Sequence, residues 1–344
     1  MRELDQLRAE IDKVDEELFK LFFKRLELVA EVGRIKRREG LPITDERREI
    51  EVRERWRRIA KSYDIPEVLA DNLLTTMFSV SKMREVNPSE KRKITLVGYG
   101  GMARSLASLF KLAKHEVVIT GRDLEKSLKL AQEFNFTTMA IPQALQWGEM
   151  VILALPPEGV LSDGITRFLH LAEGKVVMDI LSSKAKLFKK LEEMSKENGY
   201  RFVSTHPLFG PYLYPVGEKI VLIPSETSKS VEEVAKFWTD TGLTTVITDV
   251  DTHEKAMAMV QVLPHFFVLG LSRSLDFLEK ELGVEFTEFQ TTNFREIYKI
   301  VKRVKELEPV ITEIQRLNPY ARETRSIGVR ELNTLFSTLE EEKK

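Results

Sequence analysis

The sequence predicts a multi-domain chain: an all-α N-terminal three-helix domain, an α/β domain on a parallel sheet, and an all-α C-terminal dimerisation domain. Three observations predict it. Apolar residues recur every three or four positions over the first 86 residues, strands alternate with helices from residue 93 to 249, and the pattern turns helical again from Val250. The expected boundaries are 1–86, a linker at 87–92, then 93–249 and 250–344.

From Leu4 to about Gly40, Leu7, Ile11, Val14, Leu18, Leu21, Phe22, Leu28, Val29, Val32 and Ile35 keep helical spacing with Gly33 as the one internal glycine. Gly40 and Pro42 stop this helix, Thr44 or Asp45 caps a second running to about Lys61, and Ile65-Pro66 opens a third reaching about Val86. A helix of roughly 37 residues is ~55 Å long, more than two short neighbours cover, so its exposed stripe asks for a second chain. The polar NPSEKR stretch then marks the linker.

Residues 93–98 read as a buried strand, followed by a helix at 102–114, a strand at 115–120, a helix at 124–134 and a strand at 151–155. A strand at 175–180, a helix at 186–198 and a strand at 201–205 continue the alternation, which means a parallel sheet with crossover helices. Beyond residue 250, helices are expected at 252–282, 290–308 and 310–317, then a polar, charged tail.

Composition narrows the function. The chain has 344 residues, 53 Lys+Arg against 54 Asp+Glu, and no cysteine. Balanced charge argues against nucleic acid as partner, and the missing thiols exclude disulfides, thiolate zinc sites and cysteine nucleophiles. No metal site is expected. The charged start is no signal peptide and no stretch offers the ~18 apolar residues of a membrane span, so a cytoplasmic protein without membrane partners is expected.

Gly98-Tyr99-Gly100-Gly101-Met102-Ala103 follows a strand and opens a helix, the context of a Rossmann dinucleotide site. The first glycine permits the tight turn, the second admits a pyrophosphate, and the helix N-terminus supplies unpaired N–H groups. Leu155 and Pro156, after the next long strand, complete the expected cofactor contacts. At the end of the second strand, Thr120-Gly121-Arg122 puts a guanidinium where a carboxylate would bind the ribose of NAD, which favours NADP. Asp123 keeps NAD open.

His206, in the run VSTHPLFGP, stands at a strand end with a stiff Pro and Gly-Pro loop behind it. As one of five histidines it reads by itself more readily as a hydrogen-bonded structural residue, and its place at the sheet edge shifts that balance. Ser182 and Lys184 end the preceding strand, His253 and His265 lie 12 residues apart in a helical stretch, and Arg295 sits in TTNFR. Together GYGGMA, the Asp179-to-Lys184 stretch, HPLFGP, EKAMAMVQVLPHF and TTNFR resemble a prephenate dehydrogenase over roughly residues 93–320. The first 86 residues resemble the all-helical chorismate mutases, and the order of the two is similar to the bifunctional fusions of tyrosine biosynthesis.

The resemblance implies that His206 is the base that accepts the C4 hydroxyl proton of prephenate as hydride passes to nicotinamide. It further implies that Arg295 pairs with a substrate carboxylate, that Ser182 hydrogen-bonds near His206, and that Lys184 and His265 complete the pocket. His253 has a family counterpart but reads equally as structural, and His115 and His170 read as surface residues. In the helical part the resemblance carries onto Arg8, Arg25, Lys36, Asp45, Arg48, Glu49, Ser81 and Glu85. The three arginines would hold the carboxylates of chorismate, Lys36 would donate to its ether oxygen, and Asp45, Glu49 and Ser81 would contact the hydroxyl side or orient the cations.

Helix geometry bears on this independently. Arg25 and Lys36 are 11 residues apart, about 20° from eclipsed, and share one face. Arg8, 17 residues before Arg25, is roughly 25 Å away along the axis, so a partner chain must supply it and a homodimer is expected. Glu85 departs from the family, where many members have Gln; a protonated Glu can donate to the ether oxygen, whereas a carboxylate repels the charge growing there. Three other readings stand beside this one: arogenate as the oxidised substrate, a non-catalytic helical dimerisation or sensing domain, and a generic NADP reductase.

Overall fold

The computed structural model describes residues 2–41, 43–86, 90–228 and 231–341. Pro42 and residues 87–89, on which part of the first helix stop and of the linker fall, lie outside the described residues. The chain forms two compact units, Met1–Ile180 with Ser195–Ile247, and Leu181–Met194 with Thr248–Lys344.

In the first unit, three helices come first: α1 (Arg2–Arg38), α2 (Glu46–Ser62) and α3 (Glu67–Glu85). Acidic Glu3 and Asp5 open α1 and Lys36, Arg37 and Arg38 close it, each sign complementing the helix dipole. Asp45 caps α2 by accepting the Arg48 N–H at 3.0 Å. Gly33 lets α1 approach α3 closely, since a Cβ there would lie 2.8 Å from Glu85 Cα. The apolar stripe of α1, with Leu7, Ile11, Val14 and Leu18, is exposed in the single chain.

The sheet follows: β1 (Lys93–Val97), α4 (Gly101–Leu112), β2 (Glu116–Thr120), α5 (Leu124–Glu133), β3 (Thr137–Thr138), α6 (Ile141–Trp147), β4 (Met150–Leu153), α7 (Pro157–Val160), α8 (Asp163–Thr166) and β5 (Val176–Asp179). Helix α9 (Phe188–Asn198) leads to β6 (Arg201–Pro207), β7 (Lys219–Pro224), α10 (Glu232–Thr241) and β8 (Thr244–Ile247). The order is β3-β2-β1-β4-β5-β6-β7-β8. Every pairing is parallel except β6 with β7, which corrects the expectation of a wholly parallel sheet. The chain after β6 returns through a turn instead of a crossover helix, and this allows the antiparallel partner. Chain order reverses between β1 and β4, the crevice where such sheets bind ligands.

The core of this unit packs Ile94, Leu96, Leu106, Phe110, Ile119 and Ile152 with Trp238 of α10. His115 belongs to that interior and is not a surface residue: it is 5% exposed, accepts the Arg92 N–H at its Nδ1, and meets Thr241 Oγ1 at its Nε2. His170 is exposed, as expected.

The second unit is helical. Helix α11 (Val250–Met257) passes through one π turn, Ala258–Val262, into α12 (Leu263–Leu282). Pro264 enters just after the wide turn, which absorbs its missing N–H. Contrary to the sequence expectation, this run of Val250–Leu282 is long and apolar enough, by length and composition, to cross a membrane. Its window is interrupted by few charges, and 22% of it is buried in the chain. Helices α13 (Thr292–Glu306), α14 (Glu308–Leu317) and α15 (Ala321–Glu341) complete the unit. The expected polar tail is therefore the long helix α15, which packs on α12 where Gly328 meets Phe267.

Candidate active sites

On the helical bundle, Arg25 donates to Ser81 Oγ at 2.5 Å, and the Ser81 hydroxyl donates to the Met77 carbonyl at 2.6 Å. One turn along α3 from Ser81, Glu85 Oε2 accepts from Lys36 Nζ at 2.9 Å, and Lys36 also donates to the Ile43 carbonyl. Glu85 is buried, and that burial pushes its carboxyl above the usual range against the pull of Lys36. Burial also lowers Arg25. Glu49 pairs with Lys82 at 2.9 Å beside this group.

Four expected residues, Arg25, Lys36, Ser81 and Glu85, thus form one half-buried set, with Glu49 at its edge. Arg8 and Arg48 stand apart in the single chain. Arg8 is exposed beside Asp5, Arg48 is exposed beside Glu51, and the Asp45 carboxylate is engaged as the α2 cap. A cavity of about 290 Å³ reaches Lys36, Ile43 and Glu85, and α10 supplies its other wall through Ala235, Lys236 and Asp240.

On the sheet, the glycine turn has the shape a pyrophosphate requires. Gly98 holds φ at +130°, and a Cβ there would fall 2.2 Å from the Ala154 carbonyl oxygen, so only glycine fits. Gly100 has open space where a Cβ would stand, and Gly101 begins α4, whose first N–H groups have no partner within the helix by its geometry. Met102 is half-buried and Ala103 buried against the core. Tyr99 lies against Gly121, Leu155 is half-buried, and Pro156 is exposed beyond the carbonyl that faces Gly98.

Thr120 is fully buried and gives its hydroxyl to the Met139 carbonyl, so it shapes the strand end from within. Arg122 is exposed at the end of β2. Asp123 caps α5 by accepting the Lys126 N–H, which holds its carboxyl below the usual range. These residues fit a dinucleotide.

The loop after His206 is fastened to the same turn. His206 is 4% exposed on β6, opposite Val221. Its loop runs to Pro211, whose Cβ would be 2.8 Å from a Cβ on Gly101. Ser105 Oγ then donates to the Tyr212 carbonyl at 2.5 Å, and Ser108 Oγ accepts the Tyr214 N–H at 2.8 Å. Under β6, Asp179 accepts from Ser204 Oγ at 2.5 Å.

In the helical unit Ser182 is half-buried and Lys184 is buried. His253 is buried too, its pKa pushed down to about 3 by desolvation and by the Lys184 charge. His265 is lowered by burial, and its Nδ1 is enclosed with no hydrogen-bond partner among the described residues. Gln261 Oε1, one turn earlier, shares that condition. Arg295 is exposed on the first turn of α13, which Thr291 caps.

Residues 7–86 match the family described as chorismate mutase type II, and residues 106–247 match the prephenate dehydrogenase nucleotide-binding domain. A T-protein of Haemophilus influenzae is 27% identical over 80% of this chain and 71% of its own length. The chain fuses a region that matches chorismate mutase type II to one that matches the prephenate dehydrogenase nucleotide-binding domain.

A probable arogenate/prephenate dehydrogenase of Methanocaldococcus jannaschii is 31% identical over 66% of the fusion, and the match spans only 52% of that relative, about half its length. The fold of a prephenate dehydrogenase from A. aeolicus, crystallised with hydroxyphenyl propionate and NAD+, superposes with a TM-score of 0.59 at 21% identity, over 74% of this chain and 93% of that one. The fusion therefore joins a domain of an isomerase family to one of an oxidoreductase family.

Within the fusion, several residues escaped the sequence reading. Ser105 and Ser108 lie on the buried face of α4 and look like small core residues until the loop above them is in place. Lys82, which pairs with Glu49, carried no signal beyond one more charge in a chain with 31% charged residues. Glu254 opens the EKAMAMVQVLPHF run, where it is one more acidic residue beside His253.

Proposed function

We propose that the chain rearranges chorismate to prephenate and then oxidatively decarboxylates prephenate to 4-hydroxyphenylpyruvate, using NADP in preference to NAD. The observation that carries this reading is the half-buried set of Arg25, Ser81, Lys36 and Glu85 in the same chain as a glycine turn clamped to the His206 loop.

The mutase step is a concerted rearrangement and needs no nucleophile. Arg25, Arg48 and the Arg8 of a second copy hold the two carboxylates in the folded conformer. Lys36 donates to the ether oxygen as negative charge grows there, and protonated Glu85 donates beside it. Asp45, Glu49 and Ser81 contact the hydroxyl side or orient the cations. The exposed stripe of α1 supports a homodimer, because a second copy would cover it.

For the oxidation, Gly98, Gly100 and Gly101 would hold the pyrophosphate, with Tyr99, Met102, Ala103, Leu155 and Pro156 around it. When bound, the nicotinamide supplies the hydride acceptor. His206 takes the C4 hydroxyl proton, the C4 carbon becomes a ketone, and loss of CO₂ leaves the ring aromatic. Ser182 hydrogen-bonds at the hydroxyl, Arg295 pairs with a carboxylate, and Lys184 and His265 complete the polar surroundings. The unpartnered Nδ1 of His265 supports a ligand group there. Exposed Arg122 beside an Asp123 engaged as a cap supports the 2′-phosphate of NADP. The activity suits a cytoplasmic enzyme.

The M. jannaschii relative's name admits arogenate beside prephenate. Purified chain given each substrate with each nicotinamide tests the reading. Oxidation of prephenate that His206→Asn abolishes is expected; oxidation of arogenate alone would move the assignment, and oxidation of neither would overturn it.

A further inference from the structure

Glu254 is a carboxylate at 1% exposure in the helical unit, and the mechanism above gives it no task. It follows His253 on α11. One of its oxygens, Oε1, accepts three donors from consecutive residues: the main-chain N–H of Lys184, that of Ala185 at 3.1 Å, and the Ser183 hydroxyl at 3.2 Å. The other, Oε2, accepts from Asn318 Nδ2 at 2.7 Å, and the same amide reaches the Glu254 main-chain oxygen at 2.9 Å. Burial raises the Glu254 pKa, while these donors and the Lys184 charge favour the carboxylate.

Residues 182–184 have no helix or strand to fix them. The N–H groups of Lys184 and Ala185 and the Ser183 hydroxyl find an acceptor in this one side chain, and hydrogen bonds to a charged acceptor are about twice as strong as neutral ones. Lys184 is itself 1% exposed, so its direction follows from the backbone that carries it. An apolar side chain of the same size at 254 would fill the space but leave the three donors unanswered.

We infer that Glu254 is a positioning residue for the dehydrogenase reaction: it clamps the backbone of residues 183–185 so that the Ser182 hydroxyl and the Lys184 ammonium hold one orientation toward the substrate. This rests on the roles given to Ser182 and Lys184 under the proposed function.

The test uses the full chain. Glu254→Gln swaps one accepting oxygen for a donor, and kcat/KM for prephenate is expected to fall about 10- to 100-fold, with mutase activity within about twofold of wild type as the measure of intact folding. In a Lys184→Met background the same change is expected to cost at least about threefold less than in the wild type, because one of the two groups it positions is gone. A purely structural role predicts equal losses in both backgrounds.

Asn318→Ala, which frees Oε2 and the Glu254 main-chain oxygen but leaves the three donors on Oε1 in place, is the second variant should Glu254→Gln not fold. Its smaller loss of about 3- to 10-fold is also expected to shrink in the Lys184→Met background. Wild-type oxidation of prephenate with unchanged Glu254→Gln kinetics, or with losses that multiply fully, overturns the inference and leaves the function standing. Wild-type chain inert toward prephenate overturns both.

Discussion

Lys36 Nζ stands 2.9 Å from Glu85 Oε2, with both side chains largely withdrawn from water. Glu85 is held between two influences, burial raising its pKa and Lys36 lowering it, and burial is the larger. The protonated form can donate to the ether oxygen of chorismate; the carboxylate cannot. Mutase kcat is therefore expected to be high below the Glu85 pKa and to decline as pH rises through it, and Glu85→Gln is expected to flatten the profile. Initial rates of chorismate loss across pH check this; identical profiles would remove Glu85 from the proton inventory of the step.

Gly101 cannot accept a side chain without moving Pro211, which lies in the loop that follows His206 and the end of β6. Gly101→Val is expected to lower dehydrogenase kcat/KM by about tenfold or more while mutase activity stays near wild type, since a displacement of about 1 Å at a reacting group costs that much or more. Parallel assays of the two activities on one preparation decide it.

His115 is held neutral in the core, its pKa pushed down to about 4 by burial and by Arg92. A histidine so depressed contributes stability that is fully present above its unfolded value near 6.5 and is lost as pH falls toward about 4. The loss amounts to about 3 kcal/mol. Thermal melts from neutral to acid pH are expected to show this decline, and His115→Gln is expected to make it shallower.

Arg122 is exposed at the strand end, with the neighbouring carboxylate committed to the α5 cap. Arg122→Ala is expected to raise KM for NADP about tenfold or more and to leave KM for NAD nearly unchanged, because only the 2′-phosphate needs the guanidinium. Equal changes for both cofactors would take Arg122 away from the ribose.

Local pattern was enough to read most of the architecture. The three N-terminal helices, the glycine turn between β1 and α4 and the capping by Asp45 each depend on a few adjacent residues. What sequence did not show depends on distant partners. The direction of β7 follows from how the chain turns back after Pro207. The burial of His115 needs Arg92 and Thr241, 23 and 126 residues away in sequence. Helix α15 was hidden because Arg322, Glu323, Arg325, Arg330 and Glu331 mask the helical spacing of Ile327, Leu332, Leu335 and Leu339. Among site residues, Arg25 with Ser81 and Lys36 with Glu85 were legible from helix periodicity and family likeness together. Glu254 was not, because its importance lies in main-chain groups some 70 residues earlier.

The central claim is that one polypeptide both makes prephenate and oxidises it. The direct measurement supplies chorismate as the only organic substrate, together with NADP or NAD, and follows reduced nicotinamide. The account predicts steady formation of reduced nicotinamide that Lys36→Ala and His206→Asn each abolish, with added prephenate restoring the signal in the Lys36 variant alone. No signal from chorismate in a chain that oxidises added prephenate would contradict it.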